Sequence, residues 1–404
     1  MILVERSVLR HRAYRHLFSA QVVALLGTGL LTVALSLLAF DVAPRSAGTV
    51  VATALTIKMV AYVLLSPLLT AATASLPPRR VMVAADLVRG GVAVSLPWVS
   101  EVWQIYVLIF VLQTASATFT PTFQAVIPAV LPDERDYTRA LSLSRLAYDL
   151  ESLVSPMIAA ALLTVVSFHV LFAGTAVGFG VSAVMVITAG LSVRPHKAEV
   201  SFWRRATDGM RLFVTRGPLR FLMALNLVVA AASSLVLVNT VVVVRETLGL
   251  SSTSLAVALG CYGAGSMVVA LAASRLLDTI SDRTLMLAGG VTVPVALLLA
   301  VLVTGGDHGW VPVLVIWAVI GAATSAILMP SGRVINRSVT EGERAGAFAA
   351  NYSLSHACFL FAYPVAGWTG DQFGVPTTAA VMTAISVLGL VAAVASSRRP
   401  VLTR

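Results

Sequence analysis

Apolar runs of about twenty residues alternate with short polar segments along nearly the whole chain. They fall near 17–40, 49–72, 81–99, 103–127, 140–166, 168–191, 219–244, 252–276, 284–304, 310–330, 346–368 and 376–396. At 1.5 Å per residue, each can cross a hydrocarbon core of ~30 Å as a helix, and a helix satisfies its own backbone inside lipid. The pattern predicts an all-α polytopic membrane protein with twelve transmembrane helices.

The longest polar stretch, "SVRPHKAEVSFWRRATDGMRLFVTRGPLR" at 192–220, separates two groups of six runs. We expect an N-terminal six-helix half at 1–191, a linker at 192–218 and a C-terminal six-helix half at 219–404. Phe202, Trp203, Met210 and Phe213 stand among Arg204, Arg205 and Arg211, which suits either an amphipathic helix on the membrane surface or a plain linker. Setting Pro121 on Pro330 aligns Glu134-Arg135 with Glu343-Arg344 and Ser144 with Ser353. Sparse identities at matching places imply two pseudo-symmetric halves, and parallel six-helix repeats are a transporter architecture.

Charge fixes the expected orientation. The chain is 58% hydrophobic and 11% charged, with a net charge of +10; a soluble domain carries about 25% charged residues. In a soluble protein this charge would suggest nucleic acid. Here, of 28 basic residues, only Arg45 and Arg245 fall on one set of loops, while Lys58, Arg89 and Arg145 lie inside spans. The rest occupy the other side, so the positive-inside rule places both termini and the linker in the cytoplasm and leaves no role for nucleic acid. The first fifteen residues are basic and the run after them is too long for a secretory signal, so an uncleaved first span is expected. Cys261 and Cys358 each lie in an apolar run and predict no disulfide.

Span five holds the unusual chemistry. "RLAYDLESLVSP" at 145–156 carries Arg145, Asp149 and Glu151. On a helix, Arg145, Asp149 and Pro156 fall within about 40°, and Tyr148, Glu151, Ser152 and Ser155 widen the polar arc to about 160°. Such a face must look into the bundle or a watery cavity. A span entering near Ala140 puts Asp149 and Glu151 ~13–17 Å deep. Arg145 and Asp149, spaced i, i+4, can pair, which leaves Glu151 over. An ionised carboxylate at that depth is costly, which suits it to taking and releasing a proton; an ion-pair cluster that fixes packing is the other reading. Lys58 lies mid-way in span two, too deep to snorkel easily, and can titrate, serve as counter-ion or hold an anion. Asp86 and Arg89 sit nearer the inner surface and read as structural partners of the loop arginines.

Gln21, Thr28 and Thr32 in span one, Gln113 in span four, Asn226 and Asn239 in span seven and His356 in span eleven are candidate cavity-lining groups. His356 and Cys358, two apart on a helix, face different ways and cannot chelate one ion well; no metal site and no cofactor is expected. "GxxxxGK[ST]", "HExxH" and "GxSxG" are all absent. ATP drive and hydrolase chemistry are therefore not expected, and the chain does not read as an enzyme.

With these features the chain resembles the major facilitator superfamily over essentially its whole length. The family's signature between spans two and three corresponds to "TAATASLPPRRVMVAADLVRG", where Arg79 and Arg80 fit the terminal basic pair and Ala74-Ser75 replace an Asp-Arg. Its second-half counterpart, "SRLLDTISDRTLMLAGG", keeps Asp278 and Arg283. The resemblance implies that these residues gate or brace the loops. "SLVSPMIAAAL" resembles the Gly-Pro pattern of antiporter members, with Ser155-Pro156 followed by small residues; a proline bends the helix and small residues admit a neighbour. Span four lacks the arginine of many proton-coupled antiporters. "IPAVLPDERDYTRALSLSRLAYDLE" and "SHACFLFAYPVAGW" look most like bacterial macrolide and siderophore exporters, and like nickel-resistance exporters of that fold.

The resemblance implies the major facilitator fold in a bacterial inner membrane, acting as a monomer. It implies export of a small amphiphilic molecule by proton-coupled antiport and alternating access. Efflux of a divalent metal through Asp149, Glu151 and His356, or a non-transporting membrane protein on the same fold, are the alternatives.

Overall fold

A computed structural model of the chain describes residues 8–43, 47–191, 201–305 and 309–397. Among them, ten helical stretches are long and apolar enough to cross a membrane. The last of these, Glu341–Ser396, is two spans joined at Gly374, whose φ of 80° lies in the left-handed region that glycine enters without penalty. Glu134–Leu163, which carries the intramembrane charges, is the remaining span. The result is the twelve-span, all-α architecture that the hydrophobic pattern predicts.

Span ends follow from local chemistry. Glu101 and Gln104 cap the start of span four (Val102–Val130) reciprocally. Asp133 accepts from the amides of Arg135 and Asp136 at the start of span five. Prolines occupy first-turn positions of span three (Pro78–Ser95) and span seven (Gly217–Val241), where no amide is missed. Span two runs as Ala47–Val60, a π-helical turn Ala61–Leu65, and Ser66–Thr73.

By contacts the chain forms two compact units. The first comprises residues 1–140, 147–210 and 341–353; the second comprises 141–146, 211–340 and 354–404. In the first, span one (Arg12–Val42) packs on span six (Phe168–Thr188), and spans two and three pack on span four. In the second, span eight (Ser252–Thr279) and span nine (Asp282–Gly305) pack on span ten (Trp310–Leu328), the same relation six spans later.

Without a hydrophobic drive between helices in lipid, close contact comes from small residues. A Cβ on Gly321 would overlap the backbone of Tyr262, and one on Gly265 the backbone of Ala318. In the first unit, Thr175 donates to the Gly27 carbonyl at 2.9 Å.

Residues 192–200 of the linker lie outside the described residues; its second part is a helix, Phe202–Thr215. Ala206, Gly209 and Phe213 form its buried face, while Trp203 and Val214 are exposed. Gly209 lies against Gly346 at the start of span eleven, where a Cβ would overlap the Gly346 backbone.

Candidate functional site

The first unit gathers polar side chains from five spans near their middles. Tyr62 lies in the π turn of span two, one helical turn beyond Lys58. The Lys58 Nζ stands 5.7 Å from the centroid of the Tyr62 ring, within cation–π range. The Tyr62 hydroxyl donates to Gln113 Oε1 of span four at 2.8 Å. The Tyr352 hydroxyl of span eleven shares hydrogen bonds with Tyr62 and Thr120. Since Tyr62 gives its one hydrogen to Gln113, it accepts from Tyr352. The two rings lie 4.9 Å apart at 49°, and the Ser353 hydroxyl donates to the carbonyl of Val63. Two consecutive residues of span eleven thus clasp the π turn.

Span five supplies the opposite charge. Glu151 is half-buried and feels the field of Lys58; among the described residues it makes no ion pair. Its Oε1 reaches Gly29 of span one, where a Cβ would stand 3.1 Å away. The same Cβ would overlap Ser155, so only glycine lets spans one and five approach here. Ser155 is buried and its hydroxyl has no hydrogen-bond partner. Tyr148, 37% exposed, hydrogen-bonds Gln21 of span one and also lies in the field of Glu151. One carboxylate, one ammonium and three phenols are therefore linked across spans two, five and eleven, with the carboxylate set against Gly29.

The other expected residues fall elsewhere. Asp149 is buried on span five. Arg145 belongs with the second unit, where its Nε donates to Ser266 Oγ of span eight at 3.1 Å. Thr28 and Thr32 donate back to their own helix, to the carbonyls of Ala24 and Thr28. The helix runs through Pro156, but the side chain of Pro156 is outside the described residues. Asn226 is buried in the second unit. Asn239 donates to the Ala366 carbonyl at 3.3 Å and fills the space that a Cβ on Gly370 would need, so it clamps span seven to span eleven. His356 is half-buried on span eleven.

Asp86 and Arg89 pair with each other and are buried. Ser182 donates to Asp86 Oδ2 at 2.8 Å, and the Arg89 guanidinium lies between the rings of Phe119 (4.3 Å) and Phe179 (4.5 Å). This pair locks spans three, four and six together, while Arg79 and Arg80 are exposed at the start of span three. In the second-half loop, Asp278 and Arg283 are exposed, and the neighbouring Asp282 is buried. It pairs with Arg333 at 3.0 Å and Arg337 at 2.7 Å on the short helix Ser331–Ser338.

Sequence reasoning passed over Tyr62, Tyr352, Gly29 and Asp282. Tyr62 had a signal, its i, i+4 spacing from Lys58. Asp282 had another, its place in the first turn of span nine.

Residues 17–243 and 222–403 each match the family model of the Major Facilitator Superfamily. The chain belongs to that superfamily. It is thus a multi-pass membrane protein of a transporter family.

Macrolide efflux protein A of Enterococcus faecalis is 26% identical over 140 residues, a stretch that is 33% of this chain and 43% of that protein. Macrolide efflux protein A of Streptococcus pyogenes is also 26% identical over 140 residues, 34% of its length. The match therefore spans less than half of these relatives. Among solved structures, the human organic anion transporter MFSD10 (TETRAN) superposes with a TM-score of 0.79 at 14% identity, covering 95% of this chain and 99% of that one. A bacterial homologue of the iron transporter ferroportin, in an outward-facing state, gives 0.77 at 14% identity over 96% and 100%. The Escherichia coli fucose:proton symporter gives 0.72 at 12% identity over 98% and 100%. At such identities these likenesses concern the fold alone.

Proposed function

We propose that this superfamily transporter exports a small amphiphilic molecule in exchange for protons, by alternating access of two six-span halves in a bacterial inner membrane. The observation that carries the reading is Glu151, a mid-span carboxylate without an ion pair among the described residues, set against Gly29 and in the field of Lys58, with Tyr148 and Tyr62 beside the two charges. Buried charge is costly, so binding a proton at Glu151 changes which arrangement of the spans is favoured. Tyr62, Tyr148 and Tyr352 offer ring faces to an apolar body and hydroxyls to a polar edge. The similarity to macrolide efflux proteins supports the outward direction. The chain works as a monomer with both termini in the cytoplasm, and it moves its substrate without changing it chemically.

The metal-efflux alternative is the weaker reading. Among the described residues no three of His, Cys, Asp and Glu come together, and the positive charge of Lys58 at the site repels a divalent cation.

The test uses proteoliposomes with an imposed pH gradient and a pH-sensitive dye inside. Macrolide-like amphiphiles added to the wild type should release protons. Glu151→Gln imitates the protonated carboxylate, so it should fold and bind substrate but lose proton-driven accumulation by about tenfold or more. Full coupling in that variant would sink the assignment. Equal uptake of nickel and no response to amphiphiles would favour the metal reading.

A further inference from the structure

The second unit carries a pocket that the transport reading leaves unused. Its volume is about 590 Å3, within the range of small-molecule sites. Met223 and Leu227 of span seven, Cys358 and Phe361 of span eleven and Phe213 of the linker helix form its apolar walls. One cation, Arg220, lines it.

Arg220 is incompletely satisfied. Its Nη1 donates to the Val214 carbonyl at 3.2 Å and so closes the linker helix. Its Nε is buried with no hydrogen-bond partner, and among the described residues no carboxylate pairs with it. The guanidinium is thus an unneutralised cation lining an apolar pocket, and a guanidinium fits phosphate oxygens well.

The pocket also has a direction. Arg220 stands in the first turn of span seven, and Ser396, which also lines the pocket, stands at the end of the last span. From Arg220 to Leu227 the wall extends about 10 Å toward the middle of the span. Phe361, which also lines the slot, is 54% exposed. A cation at the helix ends with an apolar slot leading inward matches one leaflet of a bilayer, headgroup at the surface and tail below. Basic pockets between spans on the arginine-rich side bind anionic headgroups, and Arg211, exposed on the linker helix, adds to the positive charge of this region.

We propose that the pocket holds one acyl chain of an anionic phospholipid whose phosphate is bound by Arg220. The site goes beyond the transport reading and stands or falls separately from it.

Cys358 supplies the readout, because it is buried in the wall of the slot. In a Cys261→Ser background, its alkylation by N-ethylmaleimide is followed by intact mass, in neutral detergent doped with phosphatidylglycerol or phosphatidylcholine. Phosphatidylglycerol should slow the reaction about fivefold or more, and phosphatidylcholine less than about twofold. Arg220→Gln should erase that difference and Arg220→Lys should keep it. Ala357→Leu, which fills the slot and leaves the cation, should lose the lipid dependence as well.

Native mass spectrometry of the wild type gives a second reading that needs no variant: retained phosphatidylglycerol should exceed retained phosphatidylcholine by about fivefold. Equal protection by the two lipids would overturn the proposal. So would protection by phosphatidylglycerol that survives Arg220→Gln, protection by oleate alone, or retention without headgroup preference.

Discussion

Tyr62 of span two and Trp317 of span ten each hydrogen-bond across to a neighbouring helix. Tyr62 donates to Gln113 at 2.8 Å, and Trp317 Nε1 donates to Thr240 Oγ1 of span seven at 2.7 Å. Their surroundings differ. Lys58 lies over the ring of Tyr62, and Glu151 answers Lys58. Trp317 is fully buried, and Thr240 donates onward only to the carbonyl of Val236.

The contrast extends beyond these two residues. Spans eight and ten touch backbone to backbone at Gly265 and Gly321, and Tyr262 meets Ser233 at 3.1 Å, a bond between neutral groups. The ion pairs of Asp282 lie at the span ends instead. Two units built on the same helix arrangement thus use their mid-span polar groups differently. In the first unit a carboxylate and an ammonium stand partly open beside the tyrosines; in the second the contacts among spans seven, eight and ten join neutral groups in tight packing. The alternating-access cycle proposed above would use both, a chemical element in one unit and a stiff element in the other.

The largest effect should come from breaking the stiff element. Gly321→Val places side-chain atoms where the Tyr262 backbone lies, and the carbonyl cannot move aside without moving span eight. Overpacking of this kind costs about 3 kcal/mol or more. Detergent-stable protein, measured by fluorescence size-exclusion chromatography, should fall about tenfold or more. Wild-type yield would show that span eight gives way and that the second unit is not stiff.

A smaller effect is expected at the span ends. Asp282→Asn removes the charge that Arg333 and Arg337 share and leaves Arg333 buried beside a neutral amide. Breaking a buried pair costs about 3 kcal/mol, and the half-exposure of Arg337 reduces the loss here. The melting temperature should drop by several degrees while the pH dependence of transport stays unchanged. A change in pH dependence would move titration chemistry into the second unit and dissolve the comparison.

How much of this was legible in the sequence depends on the range of the signal. The spans were legible because hydrophobicity over about twenty residues is a local property. The polar arc of span five was legible because helical periodicity is local too. What lies opposite that arc was not. Gly29 is one of two glycines in span one, and only the rotation of that helix brings it to Ser155 and Glu151. Tyr62 and Tyr352 are 290 positions apart, and no periodicity links them. Asn239 and Gln113 look alike in sequence, each an amide in an apolar run, yet one clamps a backbone and the other receives a phenol from the charged cluster. Asp282 illustrates the limit of motif alignment, since the signature directed attention to Asp278 and Arg283 on either side of it.

The smallest effects give the sharpest test, because the two aromatic residues can be altered in parallel. Tyr62→Phe deletes two hydrogen bonds across helices, the one given to Gln113 and the one taken from Tyr352, and Trp317→Phe deletes one. Each buried hydrogen bond contributes about 1 kcal/mol net. Trp317→Phe also leaves a void where part of the indole lay, which adds a loss of about the same size. Thermal unfolding alone would therefore rank the two residues about equally. Transport should separate them. Tyr62→Phe keeps the ring beneath Lys58 and beside Tyr352 but removes the hydroxyl that joins Tyr352 to Gln113. Glu151 would then take up and release its proton among altered dipoles, and the pH at which proton-driven transport is half-maximal should shift. Trp317→Phe touches no ionisable group, so its transport should keep the wild-type pH profile at a lower melting temperature. If both variants left the profile unchanged, the tyrosines would be packing alone. If both moved it, the charged and neutral units would be coupled more tightly than their separate interiors imply.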